Sequence, residues 1–118
     1  RHNHRDHRIC GTVTMDALFP YARDPLHFPE LTKEGIFPHK TGAALCWGSG
    51  EPDEFMDISE TIETKIQSLL CHKSQFLERP GQDPNREPEE FMRENARRLG
   101  EQAGVPYAEA FRKVAFRR

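Results

Sequence analysis

The pattern of apolar and polar positions predicts helices that alternate with short strands. Over residues 5–21 apolar side chains recur at helical spacing, which predicts an amphipathic helix closed off by Pro20. Residues 22–40 hold three prolines and one glycine, so we expect a loop with a short helical turn near Leu31. The apolar run Ala43–Trp47 is bounded by turn residues and is typical of a buried strand.

A second amphipathic helix is predicted after a short strand at residues 54–56. Asp57 with Glu60 suits its start, because side chains of these types at this spacing satisfy the free backbone N–H groups of a first turn. The helix is expected to end near His72. Its apolar stripe consists of Ile58, Ile62, Ile66, Leu69 and Leu70.

The last third of the chain predicts an exposed loop, a third helix and a final strand. Residues 77–87 are polar and rich in proline and glycine, as exposed loops are. Pro88 suits the first turn of the helix, and Gly104 suits its end. Residues 107–116 are predicted to form the strand. The residues expected to face inward from the helix are Phe91, Ala96, Leu99 and Ala103.

This alternation of elements is typical of an α/β layered sheet. Sheets of this class place their sites at the carboxyl ends of strands, in loops that lead into helices. The first predicted helix begins inside a histidine-rich segment, residues 1–8. The histidines therefore lie where a site is expected.

The composition fits one small globular domain. The chain has 118 residues, of which 36% are hydrophobic and 31% are charged. The net charge is −2, and no basic stripe supports nucleic-acid binding. We expect neither a membrane span nor a signal peptide. Three separated cysteines favour buried free thiols in a reducing compartment, so the expected location is cytoplasmic. They are Cys10, Cys46 and Cys71.

The histidine-rich segment holds three of the six histidines of the chain. His4 and His7 are three positions apart, and on a helix such side chains share a face with Cβ atoms about 5–6 Å apart. Imidazole is a natural zinc ligand, and a neighbouring carboxylate such as Asp6 commonly fixes its tautomer. A catalytic zinc usually needs about three protein ligands. The spacing alone is therefore equally consistent with a solvated helix start.

The order of several motifs resembles the LmbE/PIG-L family of zinc-dependent N-deacetylases. The sequence HRDHR at residues 4–8 is similar to the family's HPDHR motif, with Arg5 where proline is usual. This departure changes no metal ligand. The resemblance covers about residues 3–75. Its further motifs are ARDPLHFPEL at residues 22–31, PHK at 38–40, the strand around 45–47, Asp57-Ile58, and HKSQ at 72–75, which is similar to the family's HxSQ pattern.

The resemblance implies a role for each matching residue of the first motif. His7 would be a zinc ligand, His4 would stabilise the developing oxyanion or protonate the leaving amine, and Asp6 would orient and tune a neighbouring imidazole. The family's other zinc ligands and its general-base aspartate lie on an upstream AHPDDE loop, which residues 1–118 lack. We therefore expect the chain to be the C-terminal part of a single Rossmann-like domain with helices packed on its sheet, and to be inactive alone.

The function implied by the resemblance is hydrolysis of an acetyl group from an N-acetylglucosamine-type amide. The cofactor would be Zn²⁺ and the substrate a small N-acetylated sugar, with no nucleic-acid or membrane partner. The residues select neither one N-acetylated substrate nor an oligomeric state. A non-catalytic metal-binding or interaction module that keeps the fold is the alternative, and a degenerate upstream loop in the parent gene would favour it.

Two further groups of polar residues have both a structural and a functional interpretation. His72, Ser74 and Gln75 could reach the cleft, although a histidine at the end of a helix commonly interacts with the helix dipole. Arg23 and Asp24 fit either a substrate-facing loop or a structural ion pair. The sequence leaves both alternatives open.

Overall fold

The computed structural model describes residues 4–48, 50–76 and 87–116, which adopt a mixed α/β architecture. A π-helical turn, Ala17–Tyr21, directly follows the first helix. The helices are α1 (Arg5–Asp16), α2 (Pro29–Lys33), α3 (Ile62–Leu70), α4 (Lys73–Phe76) and α5 (Pro88–Ala103), and the strands are β1 (Ala43–Trp47), β2 (Glu54–Asp57) and β3 (Ala108–Ala115).

The chain divides into two compact units, one formed by residues 1–54 with 111–118 and the other by residues 55–110. The assignment of residues 1–118 to a single domain stays a prediction. Except for Glu87, the predicted loop at 77–87 lies outside the described residues. Within the described ranges, no helix combines the length and the apolar character that crossing a membrane requires.

The strands form a small open sheet in the order β1-β3-β2, and β1 pairs antiparallel with β3. Along β1, exposed positions alternate with half-buried ones. Leu45 and Trp47 are 44% and 62% exposed, so the prediction of a buried strand is wrong. The reason is that successive side chains of a strand point to opposite faces, and only one face of β1 is half-buried. The Rossmann-like layering, with helices packed on the sheet, stays a prediction.

The helix predicted over residues 5–21 is confirmed in its first part, as α1. Near its end Phe19 has an extended backbone, with φ −154° and ψ 118°, so the regular helix does not continue to Tyr21. No residue of α1 is buried, and Ile9 and Val13 are 49% and 59% exposed. The helix therefore depends strongly on its local backbone interactions for stability.

The second unit contains the buried core of the described residues. Side chains of α3 and α5 form it: Ile62, Ile66, Met92 and Ala96. Half-buried Ile58, Leu69, Leu70 and Tyr107 pack against this cluster. The apolar stripe predicted on α3 is thus confirmed for its two buried members, and α3 supplies about half of the core.

The predicted start of α3 at Asp57 is wrong, since the helix begins at Ile62. The Asp57 carboxylate accepts hydrogen bonds from the backbone N–H and the hydroxyl of Ser59, at 2.9 and 2.6 Å. These bonds favour a local turn over a helix start. They also hold the pKa of Asp57 below its ordinary value, the hydroxyl hydrogen bond making the larger contribution.

The bounds predicted for α5 are confirmed, but its buried face is displaced. Gly104 adopts the left-handed conformation, φ 73°, that ends the helix. The buried residues are Met92, Ala96 and Gly100, whereas Phe91, which we predicted to face inward, is 54% exposed. A Cβ atom on Gly100 would lie 2.8 Å from a backbone oxygen of the following turn. The returning chain passes against this glycine, so the buried face of α5 runs through it.

The prediction of buried thiols is wrong for Cys10 and Cys71, which are exposed, while Cys46 is half-buried. Cys10 lies on α1, which buries none of its side chains. Cys71 follows the end of α3, where its thiol donates a hydrogen bond to the Gln67 carbonyl oxygen at 3.3 Å. All three thiols are free.

Candidate functional site

His4 begins helix α1 by capping its first turn. Its backbone is extended, with φ −74° and ψ 125°, and its Nδ1 atom accepts a hydrogen bond from the backbone N–H of Asp6 at 3.2 Å. The first N–H groups of a helix have no partner within the helix, so a side-chain acceptor at this position stabilises it. The acceptor is usually an oxygen, but here it is an imidazole nitrogen.

This capping bond assigns the two nitrogens of His4 different roles. Because Nδ1 uses its lone pair to accept the Asp6 N–H, a neutral imidazole carries its proton on Nε2. The Nε2–H group is then a hydrogen-bond donor on the far side of the ring. With Nδ1 engaged in the cap, Nε2 is the ring nitrogen that remains for a ligand.

His7 lies one helical turn after His4, and the structure brings the two rings together. Their centroids are 4.9 Å apart, with an angle of 46° between the ring planes. The spacing of three residues accounts for this, because such side chains are neighbours on a helix surface. The shared face expected from the sequence is confirmed, whereas the roles of the two histidines stay predictions.

Asp6 lies between the two histidines and contacts His4 through its backbone. Its carboxylate lies 3.8 Å from the guanidinium Nε of Arg5 and is 76% exposed. A carboxylate in the first turn of a helix also interacts favourably with the helix dipole. The predicted orientation of an imidazole by this carboxylate stays a prediction.

Trp47 is an additional member of the cluster, and the sequence motifs predicted no chemical role for it. It is the last residue of β1, and its ring meets that of His7 edge to face, with centroids 5.5 Å apart and an interplanar angle of 65°. Its place at the carboxyl end of a strand, where α/β sheets carry their sites, was a signal that could have identified it.

The described residues contain no group of three or more His, Cys, Asp or Glu side chains that could hold a metal ion. His7 would supply one ligand, because imidazole nitrogen is a suitable zinc donor, and the His4 ring lies beside it. Because a catalytic zinc needs about three protein ligands, the described part of the chain fits a portion of a zinc site. His2 lies outside the described residues.

The segment after α1 forms an apolar cavity of about 430 Å³ within the first unit. Its Asp24 carboxylate accepts a hydrogen bond from the Leu26 N–H at 3.1 Å, and the Arg23 guanidinium lies 4.9 Å from the centre of the Phe19 ring. Arg23 and Asp24 therefore have separate local partners. The cavity is lined by Ala17, Tyr21, Ala22, Asp24, Pro25, Phe28, Leu31, Thr32, Ile36, Phe37, Pro38 and His39.

The other candidates, His72, Ser74 and Gln75, belong to the second unit and are exposed. His72 connects α3 to α4. Its N–H donates to the Leu69 carbonyl oxygen at 3.0 Å, and its own carbonyl oxygen accepts from the Gln75 N–H at 2.9 Å. These bonds give the HKSQ segment a local structural role, and a catalytic role stays a prediction.

Two known deacetylases are similar to this chain. A diacetylchitobiose deacetylase of Thermococcus kodakarensis is 32% identical to the chain over 111 residues, 94% of this chain and 40% of the relative. An N,N'-diacetylchitobiose deacetylase structure from Pyrococcus horikoshii, complexed with its inhibitor MPG, superposes with a TM-score of 0.75. Its sequence is 28% identical, and the match covers 96% of this chain and 41% of that one.

The similarity has a limited extent. The chain spans about two-fifths of the length of these relatives, and nearly all of this chain is included in the match. No family model matches it.

Proposed function

We propose that this chain forms part of the active site of a zinc-dependent N-deacetylase that removes an acetyl group from an N-acetylglucosamine-type amide. The pairing of His4 and His7 at the start of α1, with ring centroids 4.9 Å apart, is the observation that carries the proposal. Similarity to two diacetylchitobiose deacetylases supports the reaction and favours a chitin-derived disaccharide as substrate. The Rossmann-like layered sheet is part of the same proposal.

His4 would act through its Nε2–H group. The amide carbonyl oxygen gains negative charge as water adds to its carbon, and a donor already oriented toward this oxygen stabilises that charge. To protonate the departing sugar amine, the ring would first have to gain a second proton, on Nδ1 in place of the Asp6 hydrogen bond, and would return to the neutral form when it gives one up. The bond from the Asp6 N–H to Nδ1 leaves Nε2 as the proton-bearing nitrogen of the neutral ring, which suits donation to the oxyanion.

His7 would hold the metal together with ligands from outside the described residues. Bound zinc would polarise the acetamide carbonyl and lower the pKa of water. Asp6 would tune a neighbouring imidazole from its position in the first turn of α1. Because the described residues supply no group of three ligands, we propose that residues 1–118 alone are inactive. Free thiols are compatible with a cytoplasmic location, which we also propose.

The test is a deacetylation assay on the full-length protein that contains this chain. N,N'-diacetylchitobiose should yield acetate and a primary amine in equal amounts, and removal of metal by a chelator should stop the reaction. His7→Ala should abolish acetate release. His27→Ala is the matched control, because its imidazole packs against Tyr21 instead of the His4–His7 pair, at a centroid distance of 4.7 Å. Binding of the disaccharide without acetate release would favour a non-catalytic module.

A further inference from the structure

Trp47 is the single tryptophan of the chain, and it contacts the residue proposed to bind zinc. It is 62% exposed, so its large ring contributes little to a buried core. The ring instead lies against His7 in an edge-to-face arrangement, with centroids 5.5 Å apart. Both residues belong to the first compact unit, where β1 ends and α1 begins.

A contact of this kind favours one orientation of the His7 ring. An imidazole on an exposed helix can turn about its side-chain bonds, whereas a metal requires one ring nitrogen in one place. An edge-to-face aromatic contact raises the equilibrium population of the paired orientation relative to the unpaired ones by a factor of about 2 to 12. Binding to a ligand that is already oriented costs less entropy than binding to a rotating one.

We propose that Trp47 is a positioning residue for His7, holding its imidazole in the orientation that binds zinc. This inference rests on the proposed function, because it takes His7 to be a metal ligand. It adds that zinc affinity depends on an aromatic ring at the end of β1, and that the emission of Trp47 reports occupation of the site.

The test compares zinc affinities of the full-length protein, measured by competition with a colorimetric chelator. Trp47→Leu keeps an apolar side chain but removes the ring, and it should weaken zinc binding by about 2- to 12-fold. Trp47→Phe retains an aromatic edge and should recover most of the affinity. Phe111→Leu is the control, because Phe111 lies opposite Trp47 in the β1–β3 pair and its loss perturbs the same strands. This variant should bind zinc as the wild type does.

A second measurement uses fluorescence and does not require a folded Trp47→Leu variant. The emission of Trp47, isolated as the difference between wild type and Trp47→Phe, should change as zinc is added and saturate with the chelator-derived affinity. In His7→Ala the change should disappear. An unaltered zinc affinity in Trp47→Leu, or an equal loss in Phe111→Leu, would overturn the positioning role alone. A wild-type protein that binds no zinc would overturn the proposed function as well.

Discussion

We assign His4 two separable roles, as helix cap and as hydrogen-bond donor, and one pair of substitutions distinguishes them. His4→Ala removes both the Nδ1 acceptor that caps α1 and the Nε2–H donor. His4→Asn removes the imidazole but places one of the strongest capping side chains at the same position. Any property that Asn restores belongs to the cap, and any property that it does not restore belongs to the imidazole.

The expected magnitudes follow from the two roles. Loss of a helix cap costs about 1 kcal/mol, which is roughly a fivefold change in the population of the first turn. Because α1 buries none of its side chains, little tertiary packing offsets this loss. Loss of a positioned acid–base group costs about 10²–10⁴ in turnover. His4→Ala should therefore show both defects, while His4→Asn should show only the loss of turnover.

Two assays on the full-length protein separate the outcomes. Hydrogen exchange of the Asp6 amide reports the cap, and acetate release from N,N'-diacetylchitobiose reports catalysis. The amide should exchange faster in His4→Ala than in His4→Asn, whereas both variants should deacetylate slowly. Turnover restored by asparagine would show that His4 acts only as a cap, and the assigned chemistry would then be refuted.

Three further predictions concern other parts of the molecule. Asp6→Asn should lower turnover or zinc affinity about 10- to 100-fold with little effect on folding, since the carboxylate is 76% exposed; unchanged zinc affinity and turnover would contradict this. Gly100→Ala should lower the free energy of unfolding by about 1–3 kcal/mol, because the added Cβ would meet backbone atoms. Gly11→Ala should instead stabilise α1 by about 1 kcal/mol, because nothing lies within 4 Å of the added Cβ. Denaturant unfolding of the two variants checks both signs. Hydrogen bonds from Arg93 hold the pKa of Glu63 below its usual range. The wild type should therefore lose folding stability as the pH falls below about 4.5. If Glu63→Gln lost as much stability over the same pH range, this linkage would be refuted.

The sequence predicted most elements where local signals determine the structure. Gly104 ends α5 in the left-handed conformation that glycine adopts readily, and Pro88 begins the same helix. Three-residue spacing on a helix was sufficient to predict that the His4 and His7 rings lie together. In each case the decisive interaction lies within one turn of the chain.

The misses arose where a distant segment or a competing local bond decides the outcome. The buried face of α5 depends on the chain that returns past Gly100, and helical periodicity carries no information about that segment. The Asp57 carboxylate accepts hydrogen bonds from Ser59 and does not cap α3, because a local turn and a helix cap compete for the same side chain. The contact between Trp47 and His7 joins residues 40 positions apart, so no local pattern predicted it.

We propose that His7 binds zinc and that His4 acts on the substrate without holding the metal. The zinc content per protein molecule, measured for the full-length wild type, His7→Ala and His4→Asn, tests it directly. We expect one zinc in the wild type and in His4→Asn, and a sharply lower content in His7→Ala. Zinc retained by His7→Ala but lost from His4→Asn would contradict it and reverse the two assignments.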